Sequence, residues 1–408
     1  MNEMPARIIA AFAGILCVYG CYWAIRWALA DYEARNLSRS GIEYALRLAP
    51  GNPQFYVRLA QADPTQALSA MQRAADLNPL RSSVRIEFAR AAEDHHDFRG
   101  AERSLLRAVQ LDKTFAPRWL LAEYYARRHD EARFWPAARD ALATSYDDIT
   151  RLFDLCWNFA PEPRIILDRA VPNRADVLRQ YFDFLLAKNR LDAADAIANR
   201  VMRDAGPDTV PSLLGYCERL LQTNDSTRAV ETWNAMITKR LLPYPALAVA
   251  QGRSLTDGAF EKPFLGIGFD WRVSAVGGVF IRYGDGSSSP LRFNFSGKQP
   301  ESCELLTEWA PVEPARRYQF VVRYSTDGVN DDTGIKWRVM DVKTGADLLL
   351  GAGHVIASDR KERAETYKFL TPAQARLIKL VLAYDRALGT VRIEGSLSLR
   401  NVALGFGS

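Results

Sequence analysis

Cysteine and histidine are scarce in this chain, and their scarcity limits the chemistry that the sequence can support. Five of the 408 residues are cysteine and four are histidine. Cys17 and Cys21 lie inside an apolar run, and the other three cysteines are widely separated. Neither a disulfide framework nor a zinc-ligand spacing is present, so we predict no metal and no cofactor.

Sequence motifs of common enzymes are also missing. The chain has no Gly-x-Ser-x-Gly elbow, no phosphate-binding glycine-rich loop and no dinucleotide fingerprint. Gly284-Asp285-Gly286-Ser287 is typical of a hairpin turn, and the acidic segment 327–332 lacks the glutamate of a calcium loop. We therefore predict a protein that is not an enzyme. A glycan-active enzyme stays open as an alternative, because only the fold sets the distance between two carboxylates.

The charge pattern excludes another class of function. The net charge of +5 is spread along the chain without a long basic block, so nucleic-acid binding is not predicted.

An uncharged apolar run extends from Ile8 to Ile25 and is bounded by Arg7 and Arg26. A run of about 18–20 apolar residues matches the thickness of a bilayer core when it is helical. We predict a single-pass membrane anchor, with a helix over about residues 8–30. The alternative is a cleaved signal peptide, because Ala28-Leu29-Ala30 has the form of a cleavage site.

Residues 41–242 show a helical pattern that repeats. Ala67 and Ala74 recur as Ala101 and Ala108, 34 residues later, and the turn prolines Pro50 and Pro79 are 29 residues apart. A period of 34 residues is typical of helix-turn-helix solenoids. On these residues the segment resembles the tetratricopeptide repeat (TPR) family. The pattern slips over 134–174, where Phe134-Trp135-Pro136 and Pro161-Glu162-Pro163 interrupt it.

The TPR resemblance implies a stacked α-solenoid with a groove for a protein partner. We predict that residues of the first helices could line this groove, namely Arg81, Arg85, Arg118 and Tyr124. The alternative for each residue is a solvated or core position.

Beyond a linker over 243–262, the period changes from helix to strand. Alternating apolar and polar residues over 291–295, 318–324, 335–339 and 376–382 predict an antiparallel β-sandwich over 263–408. Shorter strand patterns lie at 269–273 and 391–394. Residues 268–273, 291–297 and 334–337 resemble the jelly-roll modules of bacterial envelope TPR proteins, and more distantly carbohydrate-binding modules.

Sugar binding requires flat aromatic faces, and Trp271, Trp309 and Trp337 are the candidates for ligand stacking. The alternative is that alternating tryptophans fill the sandwich core.

The sequence thus predicts a multidomain α + β chain with an anchor and linker (1–40), a TPR-like helical domain (41–242), a linker and a jelly-roll sandwich. We expect a non-catalytic membrane-anchored scaffold that binds proteins through the groove and a glycan or subunit through the sandwich. The envelope resemblance implies a role beside polysaccharide synthesis or export, with most of the chain on the periplasmic side of the inner membrane. Counting lysine and arginine near the helix points to the cytoplasm instead, although long domains can cross regardless.

Overall fold

The computed structural model of the chain describes residues 4–35, 38–283, 290–329 and 334–407, with side chains from Ala11 onward. The predicted hairpin turn at 284–287 and residues 330–332 of the acidic segment lie outside the described residues. The chain divides into two compact units, Met1–Tyr181 and Phe182–Ser408.

The first unit is built from α-helices. They are α1 (Met4–Ala34), α2 (Arg39–Leu48), α3 (Pro53–Ala62), α4 (Ala67–Leu77), α5 (Ser82–Asp94), α6 (Phe98–Leu111), α7 (Phe115–Arg127), α8 (Glu131–Thr144), α9 (Thr150–Phe159) and α10 (Pro163–Arg169). A further helix, α11 (Ala175–Ala187), spans the division between the units.

Consecutive helices pack as antiparallel pairs, α1 with α2, α3 with α4, α5 with α6 and α7 with α8. The small residues that define the repeat explain how closely they pack, since Ala74, Ala101 and Ala108 are fully buried. Pro50 and Pro79 lie in the turns before α3 and α5, as predicted. The helices and their pairing confirm the predicted TPR-like architecture.

The interruption predicted at Phe134-Trp135-Pro136 does not end a helix. Helix α8 continues through Pro136, and Phe134 and Trp135 are buried, with the Phe134 ring stacked 4.1 Å from that of Phe159. Proline lacks only one backbone donor, and aromatic burial stabilises the helix around it. The repeat is instead shortened later, where α10 has seven residues.

The second unit contains the last helices and two β-sheets. Its helices are α12 (Leu191–Arg203), α13 (Val210–Gln222) and α14 (Ser226–Thr238). One sheet has the order β1-β4-β8-β6 and the other β2-β3-β9-β5-β7, with antiparallel neighbours throughout. The strands are β1 (Arg272–Val273), β2 (Val279–Arg282), β3 (Leu291–Ser296), β4 (Ser302–Pro311), β5 (Arg317–Asp327), β6 (Ile335–Asp341), β7 (Arg363–Leu370), β8 (Leu377–Asp385) and β9 (Glu394–Phe406).

Alternation along the strands forms the sandwich core. On β5, Tyr318, Phe320, Val322 and Tyr324 are fully buried, whereas the residues between them are partly or fully exposed. The two sheets therefore contribute one apolar face each to a shared core, as expected of a β-sandwich. This arrangement confirms the predicted sandwich fold.

The segment between α14 and β1 packs against this sandwich. Trp271 Nε1 donates to the carbonyl of Asp257 at 2.9 Å, and the amide of Val402 donates to the carbonyl of Gly258 at 2.7 Å. Helix α14 contacts the same region, where the ring of Trp233 lies 5.8 Å from that of Phe269. The domain boundary at residues 242–263 stays a prediction.

Candidate functional site

The three tryptophans proposed for ligand stacking occupy different environments. Trp271 and Trp337 are 0% and 1% exposed and belong to the sandwich core, where their ring centroids are 6.4 Å apart. Both ring faces are therefore covered by core side chains. Trp309 is partly exposed on β4. Of the three, only Trp309 has a surface that a ligand can reach.

Strand register places Trp309 on the outer face of the four-stranded sheet. Trp309 is opposite Lys379 on β8, and Lys379 is opposite Met340 on β6. The next row across this face holds Arg272, Thr307, Val381 and Arg338. Thr307 and Val381 are only 5% and 1% exposed because the longer side chains around them cover the sheet. We call this surface the Trp309 face.

Charges on the Trp309 face are paired. Lys379 Nζ lies 2.8 Å from Glu304 Oε2, and Lys336 Nζ lies 2.8 Å from Asp385 Oδ2. Arg338 also pairs with Asp385. Although burial alone would raise the pKa of Asp385, hydrogen bonds from Lys336 and Ser302 and the charge of Arg338 lower it. The face thus combines one accessible indole with donors and acceptors held at fixed positions.

Arg272 joins the Trp309 face to helix α13. Its guanidinium carbon lies 5.9 Å from the Trp309 ring centroid, and its Nη2 donates to Glu218 Oε2 at 2.6 Å and to the carbonyl of Gly268 at 2.8 Å. The amide of Gly268 also donates to Glu218 at 3.0 Å. Gly268 has a φ of +67°, and a Cβ there would lie 2.6 Å from the Trp233 ring, so this approach requires glycine.

Arg272→Met should therefore destabilise the second unit and also reorient Trp309. The expected loss is about 1–2 kcal/mol, because Glu218 keeps only backbone donors in a mostly buried position. Urea unfolding of the full chain measures the loss. Arg338→Met is the matched control, since Lys336 remains to pair with Asp385, and an equal loss for both variants would contradict this role of Arg272.

The four residues proposed for the helical groove also separate by burial. Arg81 is exposed before α5, where its Nε donates to Ser83 Oγ at 3.2 Å, and Arg85 is half-buried on α5. Arg118 is 8% exposed and lies 2.7 Å from Asp140, and it donates to two backbone carbonyls. Tyr124 is 3% exposed and donates to the carbonyl of Phe98 at 2.8 Å. Arg118 and Tyr124 thus join neighbouring helices, and Arg81 and Arg85 are the more accessible pair.

The first helices carry other polar residues that the sequence analysis did not select. Glu93 on α5 and Arg127 on α7 form a two-bond ion pair, with distances of 2.9 and 2.8 Å. Burial raises the pKa of the neighbouring Glu123, and Glu93 adds to the rise. Arg58 on α3 and Arg85 each have a buried guanidinium nitrogen with no hydrogen-bond partner among the described residues. A spacing of 34 between Glu93 and Arg127, equal to the repeat, was the available signal.

Three carboxylates lie in the interior of the sandwich unit. Glu308 and Asp270 are 0% exposed and Asp257 is 6% exposed. Backbone amides of Glu261 and Lys262 donate to Asp257, whereas Glu308 Oε2 and Asp270 Oδ1 have no partner among the described residues. Burial raises the pKa of Glu308 well above its usual range, and Asp270 adds to the rise. Burial also raises the pKa of Asp270.

Metal or thiol chemistry has little support in the part of the chain that the structure describes. No group of three or more histidine, cysteine, aspartate or glutamate side chains there is arranged to hold a metal ion. Cys156 and Cys217 are buried, and burial raises the pKa of the Cys156 thiol to about 12. That thiol is therefore protonated and unreactive at neutral pH.

Helix α1 is the one helix in the described residues that is long and apolar enough to cross a membrane, by length and composition. The segment is Ala11–Ala34, with a mean hydropathy of 1.4. Large apolar side chains on it are exposed, among them Ile15 (67%), Val18 (72%) and Ile25 (68%). Ala30 and Ala34, by contrast, are fully buried against Ala45, Ala49 and Phe55.

Known proteins resemble parts of the chain at low identity. No protein-family model and no curated protein matches the sequence. Among solved structures, a CBM4 structure is 10% identical, covering 38% of this chain and 100% of its own at a TM-score of 0.30. A TPR repeat-containing protein from Cytophaga hutchinsonii is 14% identical, covering 52% and 94% at 0.30. YrrB, a TPR protein with a peptide-binding site, is 11% identical, covering 48% and 91% at 0.24.

Proposed function

We propose that this protein is a non-catalytic, membrane-anchored scaffold. The observation that carries the proposal is the double role of helix α1. Its first part exposes an apolar surface on every side, and its last part, with Ala30 and Ala34, is the packing partner of α2 and α3. An apolar surface of this extent requires a lipid or protein environment. A single helix therefore connects the membrane rigidly to the first helix pair.

The same observation favours an anchor that is not cleaved. Ala28-Leu29-Ala30, which has the form of a signal-peptide cleavage site, lies inside the continuous helix α1. Cleavage after Ala30 would remove Arg26, which donates to the carbonyls of Arg47 and Leu48 at the end of α2. It would also remove Ala30 from the packed cluster. The mature chain should therefore retain its apolar segment.

The groove of the repeat helices is the proposed site for a protein partner. Arg58 and Arg85 offer unpaired guanidinium nitrogens on successive first helices, and Arg81 is exposed beside them in sequence. These donors suit the carbonyls or carboxylates of an extended peptide. The scaffold would act by holding its partners at one membrane, which raises their effective concentration.

A glycan is the proposed ligand of the sandwich, and the Trp309 face supports it. A half-exposed indole flanked by Arg272, Lys379 and Glu304 provides a stacking surface together with donors and acceptors for hydroxyl groups. Such binding agrees with a role beside envelope polysaccharide synthesis or export, on the periplasmic side of the inner membrane. A catalytic function on a glycan is the remaining alternative.

Expression of the full chain with a C-terminal topology reporter tests the scaffold proposal. We expect the chain to remain in the membrane fraction after carbonate extraction, with an intact N-terminal segment by mass spectrometry and a periplasmic reporter signal. A chain shortened at Ala30 and released from the membrane would contradict the anchor. A cytoplasmic reporter signal from a membrane-bound chain would contradict the envelope role alone.

A further inference from the structure

A cavity lies where helix α1 meets the turn between α2 and α3. It encloses about 560 Å³ and is mainly apolar. Helix α1 contributes Trp23, Trp27 and Asp31, which share one helix face because they are spaced by four residues. The opposite wall is formed by Ala49, Pro50, Gly51, Asn52 and Phe55. Asp31 is the one charged side chain in this lining.

Arg26 fixes the two walls relative to each other. Its Nε donates to the carbonyl of Leu48 at 2.5 Å and its Nη2 to that of Arg47 at 3.2 Å, so the cation lies at the C-terminal end of α2. Its Nη1 donates to Tyr22 Oη at 3.2 Å. Each terminal nitrogen carries two hydrogens, so each keeps one N–H for another acceptor. The guanidinium also covers the Trp23 ring at 5.0 Å.

The position of the cavity along α1 indicates the environment of its ligand. The uncharged apolar run ends at Ile25, and the cavity begins at the adjacent turn. Tyr19, Tyr22, Trp23 and Trp27 cluster at this end, as aromatic side chains do at the headgroup level of a bilayer. Trp27 is 59% exposed even though it lines the cavity. A lipid headgroup would therefore reach this cavity without leaving the membrane interface.

The charges along α1 specify a zwitterionic headgroup. Arg26 offers donors for an anion at the end nearer the apolar run, and Asp31 lies five residues beyond, which is about 7.5 Å along a helix. An ammonium group placed between the indoles and Asp31 gains both cation–π and carboxylate interactions. A phosphate on the membrane side and an ammonium on the far side match this order.

We propose that this cavity binds the phosphoethanolamine headgroup of a membrane phospholipid, with the phosphate at Arg26 and the ammonium at Asp31 and Trp27. The inference rests on the proposed membrane anchor and extends it. The primary ammonium is favoured over a quaternary one because only the former donates hydrogen bonds to the carboxylate. The lipid would hold the first helix pair at a fixed height and orientation on the bilayer.

Lipid retention by the full-length protein tests this inference. The protein is reconstituted into nanodiscs containing phosphatidylethanolamine, phosphatidylcholine and phosphatidylglycerol in equal parts, and retained lipid is identified by native mass spectrometry. We expect retention of phosphatidylethanolamine over the other two. Asp31→Asn should lower that preference about fivefold, as loss of one ion-paired cation–π contact predicts. Trp27→Leu should act in the same direction.

Asp76→Asn, an exposed carboxylate change on α4, is the matched control and should leave the preference unchanged. Equal retention of the three lipids by the wild-type protein would overturn the inference, as would an unchanged preference in Asp31→Asn. These results would leave the anchor intact, because they require a protein that is inserted in the nanodisc. Failure to insert would overturn the anchor and the lipid site together.

Discussion

Trp271→Ala should lower the free energy of unfolding of the sandwich unit by about 3–5 kcal/mol, the usual cost of truncating a buried tryptophan. Trp271 is 0% exposed, and its indole contacts Trp337 and Phe260 in the core. Its Nε1 hydrogen bond to the carbonyl of Asp257 would also be lost. Chemical denaturation of the full chain, followed by tryptophan fluorescence and circular dichroism, measures the change.

Trp309→Ala is the matched variant on the same sheet unit. Because Trp309 is partly exposed, its truncation should cost about 1 kcal/mol or less. If the Trp309 face binds a glycan, this variant keeps its fold and loses binding to a glycan array. A loss of stability as large as that of Trp271→Ala would show that Trp309 is a core residue and would remove the basis for a ligand there.

Glu308→Gln should stabilise the sandwich unit at pH 8 by about 1–3 kcal/mol, since a buried carboxylate with an unpaired oxygen carries a desolvation cost of that order. Strand register explains the burial. Glu308 is opposite Leu380 on the core-facing side, between the pairs Leu306–Leu382 and Ala310–Ile378. A neutral amide of the same shape fits this position without a charge.

The sign of the pH dependence follows from the raised pKa of Glu308. The folded chain binds the Glu308 proton more tightly than the unfolded chain does. This contribution to stability is therefore complete below the usual glutamate range, near pH 4, and is lost as the pH rises towards the raised pKa. The advantage of Glu308→Gln over wild type should grow over the same interval. Asp270, whose pKa burial also raises, acts in the same direction.

Glu304→Gln on the same strand is the control. Glu304 is exposed and paired with Lys379, so its substitution should change stability little and without this pH dependence. Thermal unfolding of the wild type and both variants from pH 5 to pH 8 compares them. Parallel curves for the wild type and Glu308→Gln would show that Glu308 does not hold its proton in the folded state.

The helical period was readable because it depends on neighbouring residues. Ala74, Ala101 and Ala108 recur at the interval that the helix pairs require, and all three are buried. Similarly, strict alternation predicted β3, β5, β6 and β8 nearly to their observed bounds. Strands β2, β4 and β7 were not predicted. In β4 a bulge between Glu304 and Leu306 breaks the alternation, and four consecutive buried residues conceal the period.

The binding residues were harder to predict because burial depends on the opposite sheet or helix. Trp271, Trp309 and Trp337 all lie in strand-like patterns, yet only the packing of the second sheet distinguishes the core rings from the exposed one. Arg118 looks like a solvated surface residue in the sequence, but its ion pair with Asp140 on α8 buries it. Contacts between residues distant in sequence leave no periodic signal.

The apolar run of α1, the 34-residue repeat and the change to a strand period are properties of the sequence alone, because each reflects short-range spacing that any fold of this chain must satisfy. The folded structure assigned the individual roles. It buried Ala30 and Ala34 against α2, placed Glu308 in the core and left Trp309 accessible. Those outcomes depend on which surfaces meet in three dimensions, and that depends on the packing of whole elements rather than on local pattern.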